Sequence, residues 1–379
     1  MMSMMSLYQM MKKPMMINYY DISKFFDKES LRDVLSEIHP LGIRGKEYRL
    51  LFRLNEKRLI KVKTSVGTTE EEEVQEGMSQ GSLDSTVLSA ASLDGGVNDG
   101  FKDSTMEPSY GSIRLQPIIL QDDIARLSNG ITEAQAGNTF ISTVIERKLL
   151  DFNILKSNFM VIGSEEIKRE VVNDLEEKPL TLSGEKQKRV TEYTYLGTTI
   201  HEDGTSASAL ATLRKRYGRA KQMVFEIKCV IEDCRMDSIG GLNLGLQLFE
   251  SIVASFLYFS SECWLDIPQS AFKQLEDLQV LLYRNLLANK NCPKYYMFWV
   301  FAGLLPENHI MKLKLLFAHH LIHLPFSSLG KMVFEEQTRL QLPGLSQEIK
   351  TMLAQLNIRE GLLRFSSKKE FRRLVEEKI

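Results

Sequence analysis

From Ile17 to Ile22 the chain is almost continuously apolar or aromatic, broken only by Asn18 and Asp21, as in a strand covered on both faces. Leu31, Val34, Leu35 and Ile38 then recur at helical spacing behind Asp27 and Ser30, two candidate caps, and Pro40 and Gly42 end that helix. A second short helix near Glu47 to Leu54 leads into alternation at Ile60, Val62 and Thr64, which predicts a half-exposed strand.

The pattern then lapses. Residues 65–110 hold ten acidic side chains against the single base Lys102, with Gly, Ser and Asp punctuating the stretch, and an acidic loop is the expectation. Beyond it, Ile113 to Leu115, Ile118 to Leu120 and Ile124 to Leu127 read as strands, with a turn at Gln121 to Asp123. A helix is predicted from Thr132 to Leu150. Phe159 and Val161 alternate before Gly163, Ser164 can cap a helix carrying Ile167, Val171 and Leu175, and Val190 to Ile200 suggests a strand pair. After Gly204 the apolar residues keep three and four spacing: Leu210, Leu213, Tyr217 and Ala220, then Phe249, Ile252, Val253 and Phe256, then Leu275, Leu278, Leu282 and Leu286. The expected class is α+β, a mixed first half followed by a helical second half.

Composition adds little. The 48 basic and 49 acidic residues nearly cancel, so any basic surface must be local. The four cysteines form no CxxC pair and are too few for a disulfide framework, which favours a reducing, intracellular setting. The most apolar window, Ile252 to Phe259, lies between Glu250 and Glu262 and falls short of the roughly 18 residues of a spanning helix, so no membrane partner is expected. Lys12 and Lys13 follow the Met-rich start rather than precede it, the reverse of a secretory signal, and no targeting signal is read for a nuclear or cytoplasmic protein.

Candidate chemistry lies in carboxylates set among strand residues. Asp21 follows Ile17-Asn18-Tyr19-Tyr20, and Asp122 and Asp123 interrupt Ile118-Ile119-Leu120 and Ile124-Ala125. A buried carboxylate costs several kcal/mol unless it is paired or metal-bound, so each asks for a partner. An Asp-Asp turn in an ordinary hairpin accounts for Asp122 and Asp123 taken alone. If the strand of Asp21 lies beside that hairpin in one sheet, all three acids can converge on one face.

Three segments follow one another in a telling order: Tyr20-Asp21-Ile22-Ser23-Lys24-Phe25-Phe26, Gly77-Met78-Ser79-Gln80-Gly81-Ser82 and Leu120-Gln121-Asp122-Asp123. They resemble polymerase motifs A, B and C of the reverse transcriptases of non-LTR retrotransposons. Phe152 to Gly163, with Lys156, looks like motif D, Tyr193-Thr194-Tyr195-Leu196-Gly197 like the next strand pair, and the helices around Glu262-Cys263-Trp264 like the thumb, so the likeness covers roughly residues 17–300.

That resemblance implies a polymerase palm at 17–203, with a small antiparallel sheet packed by helices and the acidic loop 65–110 within it. An all-helical thumb at 204–300 and a C-terminal helical region at 301–379 would follow, after a remnant segment at 1–16. It implies RNA-directed DNA synthesis with two Mg2+ ions, Mn2+ as a substitute, on an RNA template and a DNA primer with deoxynucleoside triphosphates. Asp21, Asp122 and Asp123 would be catalytic metal ligands, and Lys156 would serve the departing pyrophosphate. Phe26 would be the gate against a 2′-hydroxyl, and Gln80 and Gly81 would touch nucleotide and template.

Between Lys178 and Lys221, nine basic residues face four acidic ones, and Arg214, Lys215, Arg216, Arg219 and Lys221 cluster on one predicted helix. Such a helix suits a nucleic-acid backbone, and equally a solvated charged face. His319 and His323 stand one turn apart, but no HExxH pattern accompanies them. The chain departs from the family in Leu120-Gln121, where an aromatic residue and alanine are usual, and in lacking fingers motifs ahead of Asp21. Read this way it is an N-terminally truncated fragment, either an active polymerase or a dead relic that binds nucleic acid.

Overall fold

The computed structural model describes residues 1–40, 42–56, 58–74, 77–78, 85, 87–93, 97, 107–234, 238–287, 289, 291–301 and 303–379. Its principal sheet is built around β1 (Met15–Ser23), in which every residue from Met15 to Tyr20 is buried. On one side β1 pairs antiparallel with β3 (Asp123–Ser128), which forms a hairpin with β2 (Ile118–Leu120). On the other it pairs with β4 (Asp151–Phe152) and β5 (Asn158–Ile162), and β6 (Lys188–Arg189) runs parallel to β5 at the edge. Having neighbours on both sides explains the near-unbroken apolar run that marked this strand.

Alternation sends β1 residues to two different interiors. Ile17 and Tyr19 join a large core with α1 (Met2–Met11), Tyr195 and Ile200, and helices α10 (Pro306–His323), α11 (Leu329–Leu340), α12 (Leu345–Gln355), α13 (Glu360–Phe365) and α14 (Lys368–Lys378). On the reverse face Tyr20 and Ile22 pack with Ile124 against Ile141, Val144 and Ile145 of α4 (Ile131–Arg147). Side-chain amides knit that reverse face: Asn18 Nδ2 donates to Asn138 Oδ1 (3.1 Å) and Gln187 Oε1 (3.2 Å), and the Tyr20 hydroxyl donates to Asn138 Oδ1 (2.9 Å).

Helix α2 (Leu31–Ile38) starts at Ser30, whose side chain accepts from the Asp33 N–H, and α3 (Gly45–Glu56) follows. Ser164 likewise caps α5 (Glu165–Glu177), accepting from the Ile167 N–H. The strand pair expected at 190–200 is the hairpin β7 (Glu192–Tyr195) and β8 (Thr198–His201). Thr212 and Ser208 of the long helix α6 (Thr205–Asp233) accept from the N–H groups of Thr199 (2.8 Å) and His201 (2.9 Å), which staples the helical half to the hairpin.

A second core joins α6 to Trp264 and to α8 (Gln269–Leu286) and α9 (Lys294–Val300). Between α6 and α8, helix α7 (Ser238–Leu248) runs on through a π-helical segment, Phe249–Ala254, where the Ser251 hydroxyl donates back to Gln247 O at 2.7 Å. Here the sequence reading needs correction, because its apolar window was too narrow. The continuous run Ile239–Leu257 has 19 residues and mean hydropathy 1.2, long and apolar enough by length and composition to cross a membrane. Phe249, Val253, Ala254 and Leu257 from this run are packed in the helical core.

Beneath β3 lies a buried ion pair. Arg126 donates to Glu107 Oε1 through Nε (3.1 Å) and Nη2 (2.8 Å) and to Glu133 O through Nη1 (2.9 Å), with both charged side chains almost wholly shielded. Gly137 makes room for it, since a Cβ there would stand 2.1 Å from Arg126 Nη1. Removing one partner of such a pair strands a charge in the interior. Arg126→Ala is therefore expected to cost about 3–5 kcal/mol in urea unfolding, while Arg126→Met with Glu107→Leu recovers most of it. A single variant within about 1 kcal/mol of wild type would refute this role for the pair.

Candidate active site

Asp21 and Asp123 are direct cross-strand partners in the β1 and β3 register. Partners in that relation project to the same face with Cβ atoms about 5 Å apart, so the two carboxylates share one end of the sheet. Asp122 occupies the tight turn, since Leu120 pairs with Asp123 and leaves only Gln121 and Asp122 between the strands. Gln121 takes φ 56° there, a left-handed conformation that a side chain rarely adopts. The residue that departs from the family pattern thus sits at the tightest point of the turn.

Lys156 reaches the same place from the loop before β5. Its Nζ stands 3.7 Å from Asp21 Oδ1, and its side chain is 67% exposed. The loop is pinned to β1 by backbone bonds: the Asn153 N–H donates to Asp21 O (2.8 Å), and the Asp21 N–H donates to Ser157 Oγ (3.0 Å). Asn153 and Ser157 are contributors that the sequence reading missed. Their polar character beside an apolar strand was the only signal.

These elements enclose a cleft of about 490 Å³ lined by residues 21–27 together with Asp122, Asn153 and Lys156. Phe26 forms part of its wall, with its ring edge-on to Phe25 at 5.5 Å. The predicted nucleotide contacts Gln80 and Gly81 lie outside the described residues. Gly77 and Met78, which open the same segment, dock on this wall: their N–H groups donate to Glu29 O (3.1 Å) and Phe26 O (2.5 Å). Gly77 has φ +82°, and a Cβ there would meet Asp27 O at 2.5 Å, so close backbone approach demands glycine.

Near the carboxylates, outside the cleft lining, two tyrosines stack. Tyr193 of β7 stacks on Tyr19 of β1 at 3.9 Å and 11°. Burial, then the Asp123 and Asp21 carboxylates, push the Tyr193 hydroxyl up to about 12, so it stays protonated at neutral pH. Asp123 is also held above the usual carboxylate range, first by burial, then by Asp122 and Asp21, with Lys156 pulling the other way. Among the described residues, no three His, Cys, Asp or Glu side chains are gathered closely enough to hold a metal ion. The carboxylates that line the cleft are Asp21, Asp27 and Asp122, and magnesium is usually held by only one or two from protein.

The basic cluster divides. Arg214 pairs with Glu192, Lys215 Nζ donates to Thr194 Oγ1 (2.9 Å), and Arg219 pairs with Glu226 (2.9 Å) on the exposed face of α6, where Lys221 is exposed as well. Arg216 must be struck from the predicted interface. It is buried, and its guanidinium donates to the carbonyls of Leu257 (3.2 Å), Phe259 (2.7 Å) and Gly197 (2.6 Å), tying α6 to the hairpin turn. The helical repeat turned its position inward while its neighbours stayed out. His319 donates through its Nε2–H to Ser366 O (3.0 Å) and stacks on Phe371 and His323, a packing role.

The chain matches no protein-family model and no curated protein. Among solved structures it is similar to the telomerase of Candida tropicalis with a fragment of telomeric RNA, at 12% identity and TM-score 0.37, over 89% of this chain and 51% of that one. The corresponding Candida albicans complex gives 12% and 0.36, over 86% and 50%, and apo telomerase of Candida tropicalis gives 10% and 0.41, over 99% and 55%. The chain thus spans about half the length of these proteins.

Because Asp123 is harder to ionise in the folded chain, stability is lost as pH rises from the ordinary carboxylate range through the raised value. Asp123→Asn is expected to unfold at higher urea than wild type at pH 7, with the two converging below about pH 4. Urea midpoints across pH check this, and a variant less stable at pH 7 would contradict it.

Proposed function

We propose that this chain is a reverse transcriptase of a non-LTR retroelement, an RNA-directed DNA polymerase acting by two-metal nucleotidyl transfer. The observation that carries the reading is the register placing Asp21 opposite Asp123, with Asp122 and Lys156 on the same cleft and Phe26 in its wall. Order along the chain adds to it, because the segments of Phe26 and Gly77 also meet in space.

In this reading Asp21 and Asp122 would hold Mg2+, or Mn2+ in its place, with Asp123 beside them. The ions supply a lowered pKa for the attacking hydroxyl and charge stabilisation for the leaving pyrophosphate. The primer 3′-oxygen bonds to the α-phosphorus of a deoxynucleoside triphosphate as the bond from that phosphorus to the bridging oxygen breaks. Lys156, aimed by Asp21 and the Asn153–Ser157 loop, meets the departing pyrophosphate as a cation or proton donor. Phe26 would leave no space for a 2′-hydroxyl, and Arg214, Lys215, Arg219 and Lys221 would follow the template-primer backbone. Tyr193, protonated near the carboxylates, does not compete for a cation.

A second reading is a catalytically dead relic that binds nucleic acid without copying it. It draws on the absence, among the described residues, of a three-ligand cluster and on the proximity of Lys156 to Asp21.

Primer extension on an RNA template with magnesium separates the two. The polymerase reading expects Asp122→Ala to lose at least about a hundredfold in incorporation, and Phe26→Ala to admit ribonucleotides that wild type rejects. Equal incorporation by wild type and Asp122→Ala would leave only the relic.

A further inference from the structure

From Leu278 to Pro306 the chain carries Arg284, Lys290 and Lys294 and not one acidic residue. Within that stretch α9 is firmly mounted. Cys292 and Met297 are buried, Phe298 meets the Tyr283 ring edge-on at 5.5 Å, and Phe301 stacks on the same ring at 4.5 Å. Gln279 Nε2 donates to Leu304 O (3.1 Å) just beyond the helix, and Lys294 at its start pairs with Glu276.

The opposite side of α9 holds Tyr295, Tyr296 and Trp299, which are 87%, 55% and 78% exposed. Their spacing puts them along one face, and the Tyr296 and Trp299 rings lie 6.2 Å apart. The chain's other tryptophan, Trp264, is wholly buried.

We propose that this face of α9 is a stacking platform for the bases of an unpaired nucleic-acid strand. Every base offers a flat π-face to an aromatic ring, and α9 itself carries no carboxylate to repel the phosphates, Glu276 beside its start being paired with Lys294. A rigid mount adds to the effect, because rings already in place lose little freedom when a base stacks on them. Binding here is separate from the carboxylate cleft, so it stands whether or not that cleft catalyses.

The test uses the full chain in EDTA, titrated with single-stranded oligo-dT, oligo-rU and an abasic strand of equal charge. Trp264 is shielded, so quenching by bases reports Trp299. The expected result is quenching by both oligonucleotides and none by the abasic strand; read by the anisotropy of end-labelled oligo-dT, which needs no protein tryptophan, Trp299→Ala weakens binding about tenfold and Trp299→Phe retains most of it. Tyr295→Ala, at another exposed position, should weaken binding in the same way. Equal binding of the abasic strand, or unchanged affinity in both alanine variants, overturns the proposal. So does a blue shift on anionic phospholipid vesicles without any response to oligonucleotides, which would assign the face to a lipid surface.

Discussion

Slip β1 by one residue against β3, and Asp21 leaves the face it shares with Asp123 while Tyr20 takes its place. Side chains alternate along a strand, so the arrangement of acids depends on this one register. What holds the register is the burial on either side: Ile17 and Tyr19 belong to one core, Tyr20 and Ile22 to another, and a slip would put Asn18 and its amide partners into the wrong interior. The site is a by-product of a well-specified sheet, placed where β1 reaches the end of its covered length.

Gathering carboxylates at that end has an electrostatic cost, visible in the raised protonation of Asp123. Lys156 offsets part of it, and its loop is tied to the Asp21 backbone on both the N–H and the C=O side. The acids and the lysine come from three separate segments, joined to one another by backbone bonds through β1.

The helical half is not an appendage of the sheet. Arg216 reaches from α6 to carbonyls on both sides of it, and the C-terminal helices share a core with α1 and β1. Tyr110 donates to Pro343 O at 2.7 Å, which links the end of the acidic loop to the C-terminal helices. The exposed aromatic face of α9 belongs to the other core, built around α6 and Trp264.

The sequence by itself determined the elements and their order. The run Ile17 to Ile22, the helix behind Ser30, the hairpin at Asp122 and the helical repeats after Gly204 are all local patterns, legible because burial imposes a period on each. It also nominated Asp21, Asp122, Asp123 and Lys156, since charge inside an apolar strand stands out. Only the tertiary structure decided that Asp21 pairs with Asp123, that Asn153 and Ser157 hold the lysine loop, that Arg216 is interior and that Trp299 is not. Those outcomes depend on which faces meet between separate segments of the chain, and a local period specifies a face without naming what covers it.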